Sequence, residues 1–274
     1  MYNQDMARKE RIDLLLVQRG LAESRAQAQR LVMAGRVRVD GQVALKPSQT
    51  VAADAQVIVD VPPRYVSRGG EKLQAALEHF AIDLAGRTCA DVGASTGGFT
   101  DCLLQYGARR VYAIDVGEGI LHWKLRQDVR VAVMEGTNAR YLERLPEAVE
   151  LVTIDASFIS LKLLLPAVRG WFEAERGGEV VALIKPQFEA GRKQVKRAEG
   201  VIRDAAIHRQ VLMDVLTQAG QSGYAVCGLM RSPLLGQKGN VEFLAWLRYP
   251  AFTPDSDLEA MVAGLFTAEG ETAG

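Results

Sequence analysis

The rhythm of apolar and polar positions changes once along this chain, at Pro62-Pro63, and separates two kinds of architecture. Before the prolines, Ile12, Leu15, Leu16 and Arg19 recur at helical spacing and Gly20 ends the run. Ser24 caps a second predicted helix over 25–34, stopped by Gly35. Val37-Arg38-Val39 alternates like a strand, Asp40-Gly41 predicts a tight hairpin turn, and Val43 begins the return. A further strand is predicted over 56–61.

After the prolines, near-continuous apolar strands alternate with helices. Strands are predicted over 88–92, 110–116, 129–134, 151–156 and 179–185, and helices over 71–80, 100–106, 121–127, 161–171 and 204–220. Strands with no polar face imply a parallel sheet covered on both sides. Residues 224–231 and 240–248 alternate and are joined by a glycine-rich loop, which predicts an antiparallel pair at one edge. A last helix is predicted around 258–266. The fold class is therefore α/β: a Rossmann-like domain with a mostly parallel seven-stranded sheet and an antiparallel edge strand, preceded by a small α+β domain. The expected boundaries are 8–62, a linker at 63–66, 67–250 and an acidic tail at 251–274.

Composition narrows this picture modestly. With 274 residues, 48% hydrophobic and no net charge, no global field announces a partner. The charge is uneven, however. Residues 1–64 carry ten Lys/Arg against seven Asp/Glu, and 185–209 carry seven against three, which suits an anionic polymer on one face. Three cysteines and three histidines lack metal-ligand spacing, so neither a metal nor a disulfide framework is expected. The first residues have no signal-peptide core, and no apolar run approaches the ~20 residues that cross a bilayer. A cytoplasmic protein with no membrane partner is expected.

The candidate chemistry starts at Asp91-Val-Gly-Ala-Ser-Thr-Gly-Gly-Phe-Thr100, which closes a strand and opens a helix. Such a turn lets backbone approach a ligand and aims free helical N–H groups at it. A pyrophosphate fingerprint reads G-x-G-x-x-G, but Ser95 stands where its second glycine belongs. That favours a cofactor with an adenosine and no phosphate, and S-adenosylmethionine fits. Asp91, Gly93, Ser95 and Gly97 are its candidate contacts, with Asp115 on the ribose and Asn138 beside the adenine. An ordinary strand-to-helix turn would read similarly. Lys185 and Asp155 each follow an apolar strand and so stand at carboxyl ends, where open α/β sheets bind ligands. Asp155 also suits a helix cap.

Both blocks resemble known families. Arg11-Ile-Asp-Leu-Leu-Leu-Val, Ser24-Arg-Ala-Gln-Ala and Gly35-Arg-Val-Arg-Val-Asp-Gly41 resemble the S4 RNA-binding domain. Ser67-Arg-Gly-Gly-Glu-Lys72, the Asp91–Thr100 turn, Asp155-Ala-Ser-Phe-Ile-Ser160, Lys185-Pro-Gln-Phe-Glu189 and Gly239-Asn-Val-Glu-Phe243 resemble the RrmJ/FtsJ-like methyltransferase core. The combination is similar to the TlyA (haemolysin A) family of ribosomal RNA 2′-O-methyltransferases. The resemblance implies an S-adenosylmethionine-dependent enzyme acting on ribosomal RNA or ribosomal subunits, with cytidine as the target nucleoside. It also implies a Lys-Asp-Lys-Glu tetrad at Lys72, Asp155, Lys185 and Glu242.

Methylating a ribose hydroxyl requires removal of its proton, in-line geometry and exclusion of water. A lysine serves as base where its pKa falls from about 10.4 toward 7–8. Lys185 is the expected base, oriented by Asp155, with Lys72 and Glu242 positioning the ribose. Phe158 suits stacking on an extruded base, or simply a core position. RNA contacts are expected from Arg11, Arg25, Arg30 and Lys46 in the first domain and from Arg192 and Lys193 in the second. Two competing functions remain: a non-catalytic RNA-binding or ribosome-assembly factor, and a membrane-lytic haemolysin.

Overall fold

The computed structural model describes residues 8–60, 63–190, 200–251 and 257–267. The chain divides into two units, Met1–Pro63 and Arg64–Gly274. In the first, helices α1 (Ile12–Gln18) and α2 (Arg25–Met33) pack through Ile12, Leu15, Leu16, Ala28 and Val32. Ser24 Oγ accepts the Gln27 N–H and caps α2, as its position predicts. Strand β1 (Lys9–Arg11) pairs antiparallel with β4 (Thr50–Ala52), and β2 (Val37–Val39) lies between β3 (Gln42–Val43) and β5 (Val57–Val59). The β2–β3 turn places both Asp40 and Gly41 at positive φ, the backbone of a tight hairpin.

One charged side chain is buried among the described residues of this unit. Asp13 is completely buried and accepts bonds from Arg11 Nε (3.0 Å) and Nη2 (2.9 Å), Arg25 Nε (3.0 Å) and Gln29 Nε2 (3.2 Å). Those donors, Arg11 first, hold its carboxyl well below the ordinary carboxylate range.

The second unit is built on seven strands: β6 (Thr88–Val92), β7 (Arg110–Ile114), β8 (Val131–Met134), β9 (Leu151–Ile154), β10 (Gly178–Ile184), β11 (Ala225–Arg231) and β12 (Phe243–Tyr249). Their order is β11-β12-β10-β9-β6-β7-β8, parallel from β10 through β8. The antiparallel pair does lie at one end of the sheet, but the reversed strand is not the outermost one. β12 runs antiparallel to both β10 and β11 and sits between them, which buries it on two sides. Helices α3 (Gly69–His79) and α4 (Gly98–Gln105) pack with one apolar cluster, and α6 (Leu161–Val168), α8 (Ala205–Gln221) and α9 (Leu258–Thr267) with another. Two single-turn helices, α5 (Trp123–Arg126) and α7 (Pro186–Glu189), complete the chain order. The longer helix predicted over 121–127 shrinks to one turn because the loop before it is held by Glu135, which accepts N–H bonds from Gly119, Ile120 and Leu121.

Tyr65 and Val66, placed in the linker by the sequence, pack into the second unit. Tyr65 is buried with its hydroxyl on Gln74, and the Val66 N–H donates to Asp101. Among the described residues, no helix is long and apolar enough to cross a membrane.

Candidate active site

The connections out of β6 run toward β7 and β8 on one side, while β9 and β10 lie on the other. The gap beyond the ends of β6 and β9 is therefore a topological switch point, where open α/β sheets place their ligands. The glycine turn occupies it. Gly93 has φ +81°, and a Cβ there would come within 2.7 Å of the Asp155 carbonyl oxygen, so only glycine lets the two strand ends approach. Gly97 takes φ +96° at the start of α4, and a Cβ would overlap Leu125. Ser95 sits at φ +49° and its N–H donates to Asp115 Oδ2 at 2.8 Å. Asp115 Oδ1 accepts the Gly117 N–H at 2.7 Å.

Asp91, which the sequence groups with the cofactor contacts, does not present its side chain here. Its carboxylate is fully buried, accepting from Thr100 Oγ1 (2.7 Å) and Thr153 Oγ1 (3.1 Å). It braces the turn from behind by tying α4 to β9. Burial pushes its pKa up to about 7, against the two hydroxyl bonds that favour the ionised form. Asn138 is exposed and caps a short turn by accepting the Arg140 N–H.

Beside the turn opens a cleft of about 550 Å³, lined in part by Lys72, Gly93, Ser95, Asp155, Lys185 and Glu242. All four predicted tetrad residues meet there. Lys185 follows β10 directly, and Pro186 forces a turn just after it, so its Nζ is set at the strand end. Its Nζ lies 2.5 Å from Asp155 Oδ1, 3.1 Å from Ser157 Oγ and 3.4 Å from the Asp155 carbonyl. Lys72 comes from the first turn of α3 and pairs with Glu242 Oε2 at 2.5 Å. Glu242 stands one residue before the interior strand β12, and its other oxygen faces Gln187 Nε2 at 3.4 Å. The lysine side chains are only 9% and 12% exposed, so both pairs are shielded from water.

Sequence reasoning overlooked Ser157 and Gln187. The signal for each was its place two residues after a tetrad member, just past the end of a strand. Phe158 is 89% exposed in left-handed backbone and faces Phe188, with ring centroids 4.9 Å apart. That removes the core reading of Phe158. Arg11 and Arg25 meet on Asp13, whereas Arg30 and Lys46 are exposed without a shared partner. Arg192 and Lys193 lie outside the described residues.

A seven-stranded sheet with its reversed strand one in from the end, and a glycine turn at the switch point, defines a Rossmann-like methyltransferase. The model of the FtsJ-like methyltransferase family matches residues 65–249, and that of the S4 domain matches 10–57. The chain belongs to the FtsJ-like methyltransferase family and, within it, to the TlyA group that carries an S4 domain in front. It is 49% identical to the 16S/23S rRNA (cytidine-2′-O)-methyltransferase TlyA of Mycobacterium tuberculosis, over 89% of this chain and 91% of that protein. It is 47% identical to a candidate rRNA methyltransferase, YqxC of Bacillus subtilis, over 89% and 87% of the two chains. Among solved structures, a candidate hemolysin from Streptococcus thermophilus superposes with a TM-score of 0.70 at 43% identity, over 96% of this chain and 98% of that one.

Proposed function

We propose that this protein transfers the methyl group of S-adenosylmethionine to the 2′-hydroxyl of a cytidine in ribosomal RNA. The observation that carries this reading is the meeting of two buried lysine–carboxylate pairs in one cleft beside the glycine turn. The cradle suits the cofactor on three grounds. Gly93 admits no side chain, Ser95 holds the turn to Asp115, and each Asp115 oxygen keeps a lone pair for a ribose hydroxyl. Bound there, S-adenosylmethionine would supply an electrophilic methyl group on a sulfonium.

The protein's own groups do the rest. Lys185 Nζ takes the proton of the 2′-hydroxyl, and Asp155 and Ser157 fix the direction of that amine. Lys72, neutralised by Glu242, holds the ribose in line. Phe158, exposed at the rim, offers a face to the extruded base. In the first unit, Arg11 and Arg25, with Arg30 and Lys46, attract RNA phosphates, an interaction that weakens with salt. Arg192 and Lys193 are assigned the same role in the second unit.

The test is transfer of labelled methyl from S-adenosylmethionine to unmodified 30S and 50S subunits, with Lys185→Ala alongside. The expected result is label on 2′-O-methylated ribose, with the variant at least ~100-fold slower and still binding the cofactor. Retained turnover in Lys185→Ala would overturn the base assignment. No label on either subunit, with cofactor binding intact, would turn the reading toward a non-catalytic RNA-binding factor.

A further inference from the structure

Five non-glycine residues in the described structure adopt positive φ, and three of them line the one cleft: Ser95, Phe158 and Lys238. Left-handed backbone in a residue with a side chain is costly and persists where the surroundings impose it. The first two already have work in the proposed reaction, the turn that cradles the cofactor and the face offered to the base. Lys238 has none, and glycine would occupy its φ of +57° and ψ of +15° at less cost.

The surroundings of Lys238 are fixed by Asn240. That buried side chain donates to the carbonyls of Gln237 and Gly200, both at 3.0 Å, and accepts the Ile202 N–H at 3.1 Å. Its own carbonyl accepts the Gly236 N–H at 2.8 Å. Gly236 in turn lies so close to Glu242 that a Cβ would overlap its carboxylate. The turn carrying Lys238 is thus tied to the segment that carries Glu242.

A second cation belongs to the same lining. Arg68 also lines the cleft, exposed at the start of α3, four residues before Lys72 and therefore on the same helical face. Lys238 stands four residues before Glu242. Both cations line the cleft that holds the Lys72–Glu242 pair, and neither makes an ion pair with a carboxylate among the described residues.

We propose that Lys238, with Arg68 in the same cleft, clamps the phosphodiester beside the methylated ribose. The proposal rests on the RNA methyltransferase reading above. An anionic, linear substrate is what two unpaired cations flanking a buried ribose site would hold, and each would add one salt-sensitive phosphate contact.

The experiment compares Lys238→Gly, Lys238→Arg and a remote surface control, Arg176→Ala, in the full chain. Binding to unmodified ribosomal subunits is measured by filter retention across salt concentrations, and methyl transfer is measured separately. Lys238→Gly should keep or raise the melting temperature, because glycine relaxes the strained backbone. It should weaken RNA binding about tenfold near 0.1 M salt and reduce the log–log salt slope by about one. The transfer loss should fall on KM, with kcat nearly intact, and Lys238→Arg should restore binding. Arg176→Ala should match the wild type. Wild-type affinity and slope in Lys238→Gly, or a loss confined to kcat, would overturn the clamp. Failure of the wild type to methylate any RNA would instead count against the activity, since the binding slopes read the clamp independently.

Discussion

The first unit and the cleft of the second both set an arginine or lysine against a carboxylate, and they differ in whether the cation is buried. In the first, the anion is inside: Asp13 has no exposed side-chain surface, while Arg11 and Arg25 remain 41% and 53% exposed. In the cleft the cations are inside too: Lys185 and Lys72 are 9% and 12% exposed, against 23% for Asp155 and 3% for Glu242. Buried anions with exposed guanidinium groups present oriented positive charge to a partner, which serves binding. Lysines enclosed together with carboxylates in the cleft suit the proton transfer proposed there. In the function we propose, exposing or enclosing the cation is what separates the RNA-facing pair from the catalytic ones.

The largest effect that would break this comparison lies at Glu242. Glu242→Gln leaves the Lys72 ammonium enclosed without an anion, so both stability and methyl transfer should fall, transfer by about 100-fold. The double variant Lys72→Met with Glu242→Gln removes the unpaired charge. It should recover most of the melting temperature while transfer stays low. A pair that only supported the fold would recover both together, and steady-state transfer beside thermal melts separates the outcomes.

How much of this was legible in the chain depends on distance along it. Apolar strands and their charged ends are local patterns, so β6, β9 and β10 and the positions of Asp155 and Lys185 follow from short windows. Lys72 and Glu242 are 170 residues apart, and nothing in either neighbourhood signals the other; their pairing entered through family resemblance alone. The strand β1 was unreadable because Lys9-Glu10-Arg11 is fully charged, and only its partner Thr50–Ala52 makes it a strand. The orientation of Asp91 toward Thr100 and Thr153 was not legible, because sequence shows which turn a carboxylate flanks and not which way it faces. Phe158 illustrates the same limit: an aromatic beside apolar residues reads as core until the backbone turns it outward.

A smaller effect tests the outward-facing arrangement. Asp13→Ala removes the acceptor of four bonds but leaves two arginines that can be hydrated, so the first unit should lose about 2–3 kcal/mol. All three tryptophans, at 123, 171 and 246, lie in the second unit, so their fluorescence should report little change. Hydrogen exchange of α1 and α2 amides is the sensitive measurement, and it should show faster opening in the first unit only. RNA binding should weaken as well, because Arg11 and Arg25 lose the anchor that orients them. Unchanged exchange in α1 would mean that Asp13 is not what holds this unit's charge in place.

The smallest effect concerns Asp91, which shares neither arrangement: a buried carboxylate with two hydroxyl partners and no cation within its hydrogen-bond set. Its pKa of about 7 stands above the 3.8 of the free side chain. A raised carboxyl contributes most to stability below the unfolded value, and that contribution is lost as pH rises through the folded one. Asp91→Asn keeps one acceptor, supplies a donor to the other threonine oxygen, and does not titrate. The variant should therefore gain on the wild type as pH increases from 5 to 8, read as the difference in melting temperature. His208, whose pKa burial lowers, titrates equally in both proteins and cancels from that difference. Asp13 and Glu135, both held below the ordinary carboxylate range, lose their contributions only at more acidic pH and leave the window clear. Parallel melting curves across that range would show Asp91 to be ionised throughout. The brace behind the glycine turn would then be a charged one, closer in kind to Asp13 than its lack of a cationic partner implies.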